Sequence, residues 1–258
     1  MHRLFALEFV RVTEAAAIAA AKQMGHGDQK KADRLAVEAM RKMLASIEFD
    51  GTVQIGEGER DQAPMLYIGE KVGTGKGIAL DVALDPLEGT ALCAKGGPNA
   101  LSIIAVAEGG NLLHAPDVYM EKIAVGPEAA HVIDLEKSPS DNVRAVAKAK
   151  GKDLSHVTVV IMDRLRHAAM IKEVREVGAR IILISDGDVQ PALACGLEDS
   201  GIDLLMGIGG APEGVISAAA LKCLKGGFQG RLVFHKKGTL GEIDHEQMAR
   251  ARDQMGIT

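Results

Sequence analysis

The chain has 258 residues and a formal net charge of −5, and 47% of its residues are apolar and 25% charged. This composition is ordinary for a globular protein, and the length allows one large α/β domain or two smaller ones. Aromatic residues make up only 3% and Trp is absent, which argues against a base-stacking surface for single-stranded nucleic acid. The negative charge argues against binding to nucleic acid in general or to anionic membranes.

Cysteine and histidine usage gives no metal or disulfide signature. Cys93, Cys195 and Cys223 are odd in number and scattered, which predicts reduced thiols in a cytoplasmic protein. Cys93 is interpreted as a small packed thiol rather than a nucleophile. His114 and His167 have no histidine four residues further on, and both are interpreted as structural.

The chain begins with two predicted helices. The stretch 3–23 is rich in Ala and Leu but contains Glu8 and Arg11, so it predicts an amphipathic helix rather than a signal peptide or a membrane span. A second helix is predicted over about 29–47, with Asp28 as its N-cap.

The rest of the first half predicts strands. Short strands are expected at 52–55 and 66–68, on either side of the polar loop GEGERDQAP. GIALDVALD reads as a strand that ends in an acidic turn, and ALSIIAVAEGG as a buried strand followed by a turn.

Near residue 145 the pattern changes to alternating strands and helices. The strands are VTVVIMD, ARIILISD and IDLLMGIGG, and helices are expected near 141–150, 167–177, 189–195 and over PEGVISAAALKCL. This alternation predicts a parallel or mixed sheet covered by helices, and therefore the α/β class. We expect two domains, 1–145 and 146–258.

The stretch DVALDPLEGT places two carboxylates, Asp85 and Glu88, around a proline and just before Gly89 and Thr90. Carboxylate oxygens are the ligands that hard divalent cations prefer. Backbone N–H groups of such a turn bind phosphate oxygens, and a threonine hydroxyl can orient a water. A solvated turn whose acids cap the next segment is the alternative.

A second acidic stretch, QIGEGERDQAP, contains Glu57, Glu59 and Asp61. In an extended segment Glu57 and Glu59 point the same way. Clustered acids are unfavourable unless a cation balances them, so this loop together with the first favours a metal site. An exposed acidic loop is the alternative.

Polar residues also follow the strands of the second half. Arg164 and Arg166 suit phosphate, and Asp186 and Asp188 suit sugar hydroxyls. Glu213 stands at the start of a helix that follows a glycine-rich loop, where anions are favoured. A surface charge pair, a helix N-cap and a first-turn acid remain as the alternative readings.

Taken together, these stretches resemble the class II fructose-1,6-bisphosphatases of the GlpX type. The matching motifs are GDxxxAD at 27–33, IGEGExDxAPMLYIGEKVG at 55–73, DVALDPLEGT at 81–90, KGGPNAL at 95–101, APDVYMEKIAVG at 115–126, DRLRH at 163–167, ISDGDV at 184–189 and GIGGAPEGV at 207–215. The resemblance implies the fold of the lithium-sensitive sugar phosphatases, with stacked helix and sheet layers. It also implies hydrolysis of the 1-phosphate of fructose 1,6-bisphosphate, as in gluconeogenesis, with Mn²⁺ or Mg²⁺ as cofactor and a homodimer or homotetramer as the assembly.

The resemblance also implies roles for individual residues. The metal-binding acids are Asp33, Glu57, Asp85, Glu88 and Glu213. The catalytic residues are Thr90, Asp61 and Glu57. The substrate-binding residues are Glu88, Gly89, Thr90, Tyr119, Arg164, Leu165, Arg166, Asp186, Gly187, Asp188 and Gly210.

Three departures from the family pattern bear on activity. Gln29 stands where the family usually has Lys, Leu165 stands where it often has Pro, and family chains continue past the position of Thr258. The C-terminal part is therefore expected to be shortened. The alternatives are a sedoheptulose-1,7-bisphosphatase, an enzyme with both activities, and a non-catalytic protein that binds sugar phosphates.

Overall fold

The computed structural model describes residues 3–58, 65–234 and 243–256. The chain forms two compact units, Met1–Ala115 and Pro116–Thr258. The division lies N-terminal to the predicted one between 145 and 146, because the strand Tyr119–Val125 pairs with strands of the second unit.

Unit 1 contains helices on a mixed sheet. Its helices are α1 (Arg3–Ala21), α2 (Gln29–Leu44) and α3 (Thr90–Lys95), and its strands are β1 (Asp50–Ile55), β2 (Lys71–Val72), β3 (Ala79–Glu88) and β4 (Leu101–Glu108). The strand order is β2-β1-β3-β4. β1 and β3 run parallel, whereas the pairs β1–β2 and β3–β4 are antiparallel.

The core of unit 1 lies between the sheet and the helices α1 and α2. Phe9 and Val12 of α1 and Met40 of α2 pack in one cluster with Val53 and Val82 of the sheet. Apolar residues three and four positions apart on each helix create the face that this burial needs.

The predicted boundaries in unit 1 are mostly confirmed. Asp28 caps α2, since its side chain accepts a hydrogen bond from the backbone N–H of Lys31. The strand expected at 66–68 is wrong: these residues form a turn in which Leu66 has a φ of 55°. β4 forms as expected, but it is half-buried rather than buried.

Unit 2 contains a five-stranded mixed sheet in its described part. Its helices are α4 (Pro139–Ala149), α5 (Ala168–Glu176), α6 (Val189–Ala194), α7 (Ala211–Cys223) and α8 (His245–Gln254), and its strands are β5 (Tyr119–Val125), β6 (Thr158–Met162), β7 (Arg180–Ile184), β8 (Leu204–Gly210) and β9 (Gly227–Val233). The strand order is β7-β6-β8-β5-β9. β6 runs parallel to β7 and β8, and β5 runs antiparallel to β8 and β9.

Helices cover both faces of this sheet. Val159 and Ile161 of β6 pack with α4 and α5, whereas Val160 between them packs with α6 and α7. Because successive side chains of a strand point to opposite faces, a strand buried on both sides reads as a continuous apolar run. This explains the run VTVVIM and confirms the predicted α/β class. β9 and α8 were not predicted from the sequence.

The described helices include none with both the length and the apolar character needed to cross a bilayer.

Candidate active site

The acidic turn of unit 1 is built on a bulge in β3. Asp85 pairs with Ile103 and Glu88 with Leu101, so the register with β4 shifts between the two acids. Pro86 lies in this irregular stretch, where the lack of a backbone N–H removes no regular ladder bond. The backbone N–H of Leu87 donates to Asp85 Oδ1 over 3.0 Å. The bulge therefore orients the Asp85 carboxylate, and Glu88 is buried just beyond it.

Three of the predicted metal ligands lie close together in unit 1. Burial, together with the charges of Asp33 and Asp85, raises the pKa of Glu57 to about 8. Burial also raises the pKa of Asp33. Asp33 comes from α2, Glu57 from the segment after β1, and Asp85 from β3. Residues far apart in sequence thus form one acidic cluster, the Glu57 cluster.

The chemistry of the Glu57 cluster fits a divalent cation. Like charges that face one another in a half-buried place disfavour ionisation unless a cation offsets them, and all three residues offer carboxylate oxygens. Within the described ranges, however, no three His, Cys, Asp or Glu side chains are arranged so as to hold one ion. Glu59 and Asp61 lie outside the described residues.

Thr90 begins α3 next to the acidic turn. Gly89 precedes it with a φ of 78°, a left-handed conformation that favours glycine. Gly89 is followed by the helix, and both Gly89 and Thr90 are half-buried. Gln29 and Lys30, at the start of α2, are both exposed.

Two other buried acids of unit 1, Asp81 and Glu70, have hydrogen-bond partners within the fold. Asp81 Oδ2 accepts hydrogen bonds from the backbone N–H groups of Gly110, Asn111 and Leu112 over 2.7 to 3.2 Å. Glu70 Oε1 accepts from Arg41 Nε over 3.0 Å. Although Asp81 belongs to the same motif as Asp85, its partners show that it holds a loop.

In unit 2 two predicted substrate-binding residues are in contact. The guanidinium carbon of Arg166 lies 5.2 Å from the centre of the Tyr119 ring, within the range of a cation–π interaction. Arg166 Nε and Nη2 both donate to the backbone oxygen of Ile208, over 3.0 and 2.7 Å. The side chain of Arg166, which comes from the turn before α5, is thereby fixed between Tyr119 at the start of β5 and Ile208 in β8.

His167 binds the backbone N–H of the same residue, Ile208. Its Nε2 accepts from the backbone N–H of Ile208 over 2.8 Å, and its Nδ1 lies 2.8 Å from the backbone oxygen of Met162. These partners require a neutral ring with the proton on Nδ1. Burial lowers the pKa of His167, in agreement. The structural interpretation of His167 is confirmed, and its location next to Arg166 makes it part of the site's support.

The side chain of Arg164 has different hydrogen-bond partners from that of Arg166. It donates to the backbone oxygens of Asp163 and Ser185, over 3.0 and 2.6 Å. It also lines a cavity of about 400 Å³ with residues of α5 and with Leu183 of β7. Leu165, between the two arginines, is 91% exposed. The structure therefore brings Arg166, but not Arg164, to Tyr119.

Asp188 of the DGD loop forms a buried ion pair. Lys122 Nζ donates to Asp188 Oδ2 over 2.7 Å, and the two side chains are only 1% and 9% exposed. Gly187, with a φ of 77°, makes the turn that leads to Asp188. A methyl group at Gly209 would collide with the Asp188 carboxylate and would crowd Lys122 Nζ at 3.1 Å. The ion pair therefore requires a residue without a side chain at position 209.

Glu213 occupies the first turn of α7 in the same unit. Its Oε2 atom is buried and accepts no hydrogen bond within the described part of the chain. Burial raises the pKa of Glu213, Lys122 lowers it and Asp188 raises it. A methyl group at Gly210 would collide with the Glu213 carboxylate. Gly209 and Gly210 thus each make room for one carboxylate.

The predicted site residues are divided between the two units. Asp33, Glu57, Asp85, Glu88, Gly89 and Thr90 lie in unit 1, and Tyr119, Arg164, Leu165, Arg166, Asp186, Gly187, Asp188, Gly210 and Glu213 lie in unit 2. The approach of Glu213 to the acids of unit 1 stays a prediction. Lys122 and Gly209 were missed, although a lysine within the apolar stretch YMEKIAVG was an available signal.

Comparison with known proteins identifies one family and relatives whose names agree with it. A family profile described as bacterial fructose-1,6-bisphosphatase, glpX-encoded, matches residues 3–257. A class 2 fructose-1,6-bisphosphatase 1 of Escherichia coli K12 is 51% identical over 262 residues, which cover 100% of this chain and 78% of that protein. A D-fructose 1,6-bisphosphatase class 2/sedoheptulose 1,7-bisphosphatase of Synechococcus elongatus is 46% identical over 274 residues, covering 100% of this chain and 79% of the relative.

The mixed sheets with their helix layers and the acidic cluster define an α/β fold suited to a phosphatase. With a profile match over nearly the whole chain and half of its residues shared with a relative, the chain belongs to the bacterial glpX-encoded fructose-1,6-bisphosphatase family.

Proposed function

We propose that this protein hydrolyses the 1-phosphate of fructose 1,6-bisphosphate to give fructose 6-phosphate and phosphate. The observation that carries the proposal is the convergence of Asp33, Glu57 and Asp85, which come from three separate family motifs, beside the turn that leads to Thr90. The 51% identity with a class 2 fructose-1,6-bisphosphatase supports the substrate class.

The acids of unit 1 would hold the divalent cation, Mn²⁺ or Mg²⁺, together with Glu88 and with Glu213 of unit 2. When bound, such a cation polarises a phosphoryl group and lowers the pKa of water. Thr90 accepts a hydrogen bond from the attacking water and directs it along the line of the breaking P–O bond. A neighbouring carboxylate, Glu57 or Asp61, receives the proton that the water loses.

The residues of unit 2 bind the part of the substrate that does not react. Arg166 and Tyr119 form a cationic and aromatic surface suited to the 6-phosphate, and Asp188 accepts hydrogen bonds from sugar hydroxyls. Arg164, Leu165, Asp186, Gly187 and Gly210 complete this surface in our proposal. Such remote contacts contribute orientation rather than chemistry.

Phosphate release from fructose 1,6-bisphosphate, measured with Mn²⁺ and with Mg²⁺ after exhaustive chelation, tests the proposal. We expect turnover only when a divalent cation is restored, and the more active cation identifies the cofactor. Tight binding of the sugar phosphate with no release of phosphate would favour a non-catalytic binding protein. Turnover in the presence of excess chelator would refute the role of the acids.

A second activity, on sedoheptulose 1,7-bisphosphate, is favoured by the relative from Synechococcus elongatus, whose name carries both activities. The two substrates differ by one carbon, and the described residues do not separate them. A comparison of kcat/KM for the two substrates under identical conditions decides between one activity and two. We further propose a homodimer or homotetramer, which light scattering after gel filtration tests.

A further inference from the structure

Lys122 is an unusual residue for its position. It lies in β5 between Glu121 and Ile123, and only 2% of its surface is exposed. A buried ammonium is costly unless it is paired and hydrogen-bonded. Lys122 Nζ donates a hydrogen bond to Asp188 Oδ2, 2.7 Å away.

Lys122 interacts with a second carboxylate besides that of Asp188. Lys122 acts on Glu213 as well as on Asp188, lowering the pKa of Glu213 while Asp188 raises it. Lys122 therefore lies near two carboxylates, Asp188 and Glu213, and its hydrogen bond goes to Asp188. Glu213 keeps a buried oxygen, Oε2, without a hydrogen-bond partner within the described residues.

We propose that Lys122 is a positioning residue that gives the carboxylates of Asp188 and Glu213 different roles. By binding Asp188, it holds that side chain in one orientation for the sugar hydroxyls. By leaving the Glu213 oxygen unbonded, it keeps that carboxylate available for a cation. The inference rests on the proposed function, since it concerns how the same site binds its substrate.

A buried ion pair that serves only stability is the alternative, and unit 2 contains such a pair for comparison. Asp203 is 1% exposed in its side chain and is bound by Lys150 Nζ over 2.7 Å and by Lys152 Nζ over 2.6 Å. Its other oxygen accepts from the backbone N–H of Thr158 over 3.0 Å. None of these residues is a candidate site residue, so Lys150→Met is a matched control for Lys122→Met.

The experiment compares the wild type with Lys122→Met, Asp188→Asn and the double variant. We expect Lys122→Met to lower kcat/KM for fructose 1,6-bisphosphate by roughly 10- to 100-fold, the range typical for residues that orient a ligand-binding side chain. Most of the loss should appear in KM. Lys150→Met should lower Tm while leaving kcat/KM within about two-fold, because its partner touches no substrate.

The double variant tests whether Lys122 acts through Asp188. If it does, the double variant has the kcat/KM of Asp188→Asn alone, because the effects of coupled residues are not additive. Additive losses, or a Lys122→Met variant that loses Tm but keeps KM, would overturn the inference. Should Lys122→Met fail to fold, the double variant carries no unpaired charge from this ion pair and gives the same comparison with Asp188→Asn.

Calorimetric binding of fructose 6-phosphate keeps this test separate from the proposed function. If the wild type releases no phosphate, the proposed function fails, but the affinities of the wild type, Lys122→Met and Lys150→Met for fructose 6-phosphate still report on Lys122. Weaker binding by Lys122→Met alone supports the inference. Equal binding by all three, or absence of binding by the wild type, contradicts it.

Discussion

Carboxylates gather in two places of the molecule, around Glu57 in unit 1 and around Asp188 in unit 2. Around Glu57, burial and the charges of two further acids, Asp33 and Asp85, raise the pKa of Glu57 to about 8. Around Asp188 the chain supplies its own cation, Lys122, at 2.7 Å. A cluster of acids that has no cation beside it among the described residues suits an exchangeable ion, whereas a cluster with one suits a fixed hydrogen-bonding surface. This difference agrees with our proposal that unit 1 carries the chemistry and unit 2 binds the substrate.

The largest expected effect comes from the hydroxyl beside the Glu57 cluster. Thr90→Ala should lower kcat by roughly 100-fold or more, because the attacking water loses its orienting partner. KM should change little. Steady-state kinetics measures both, and Thr74→Ala, at an exposed position of the same unit, is the control. A kcat for Thr90→Ala within a few-fold of the wild type would remove Thr90 from the mechanism.

Gly209→Ala is the corresponding test for the carboxylates around Asp188 in unit 2. The added methyl group collides with the Asp188 carboxylate and crowds Lys122, which should cost roughly 1 to 3 kcal/mol of unfolding free energy. It should also raise KM more than it lowers kcat. Gly109→Ala is the control, since its methyl group would lie 3.6 Å from the Ala79 oxygen, an ordinary contact. A lower kcat with an unchanged KM would contradict the proposal that the residues around Asp188 bind the substrate.

The pH dependence of stability sharpens the electrostatic contrast. In the chelated protein the pKa of Glu57 rises from an ordinary value of 4.5 to about 8. Between these pH values the folded protein keeps a proton that the unfolded chain has released. The unfolding free energy should therefore fall as pH rises from about 4.5 to 8.

Urea denaturation at pH 6, 7 and 8 measures this slope, and Glu57→Gln should flatten it because the amide does not titrate. Added Mn²⁺ or Mg²⁺ should stabilise the wild type most at pH 8, where binding no longer has to displace a proton. Identical slopes for the wild type and Glu57→Gln would show that Glu57 ionises normally.

The smallest effect is expected at Leu165, which is 91% exposed. Leu165 begins a short 3-10 turn after Arg164, whose φ of −137° and ψ of 144° suit a residue before proline. Leu165→Pro, the residue often found in the family, should raise the unfolding free energy by about 0.5 kcal/mol by restricting the unfolded chain. Thermal unfolding followed by circular dichroism measures it. A clear loss of stability would show that the Leu165 N–H or φ matters.

The sequence predicted the elements that bury a regular apolar pattern and missed those that do not. The run VTVVIM and the capped helix after Asp28 are read directly from periodicity and capping. The segment 66–68 has the composition of a strand, but Leu66 adopts a φ of 55° and turns the chain. β9, with a glycine at Gly230 and only half-buried apolar residues, carries too weak a pattern to be recognised.

The site residues were identified as motifs, but their partners were not. Asp81 and Asp85 belong to one motif, and only the three backbone N–H donors on Asp81 show that it holds a loop. The pairing of Lys122 with Asp188 joins positions that are 66 residues apart. Spacing along the chain cannot indicate such a contact, because it depends on how β5 is placed in the sheet.

The backbone of one residue, Ile208, has a consequence for affinity. His167 binds its N–H and Arg166 binds its oxygen, so the guanidinium is immobilised before any ligand arrives. A flexible arginine loses rotamer entropy on binding phosphate, of the order of 1 kcal/mol. Here that loss has already occurred during folding, so ligand exchange at this surface should proceed without reorganisation of the side chain.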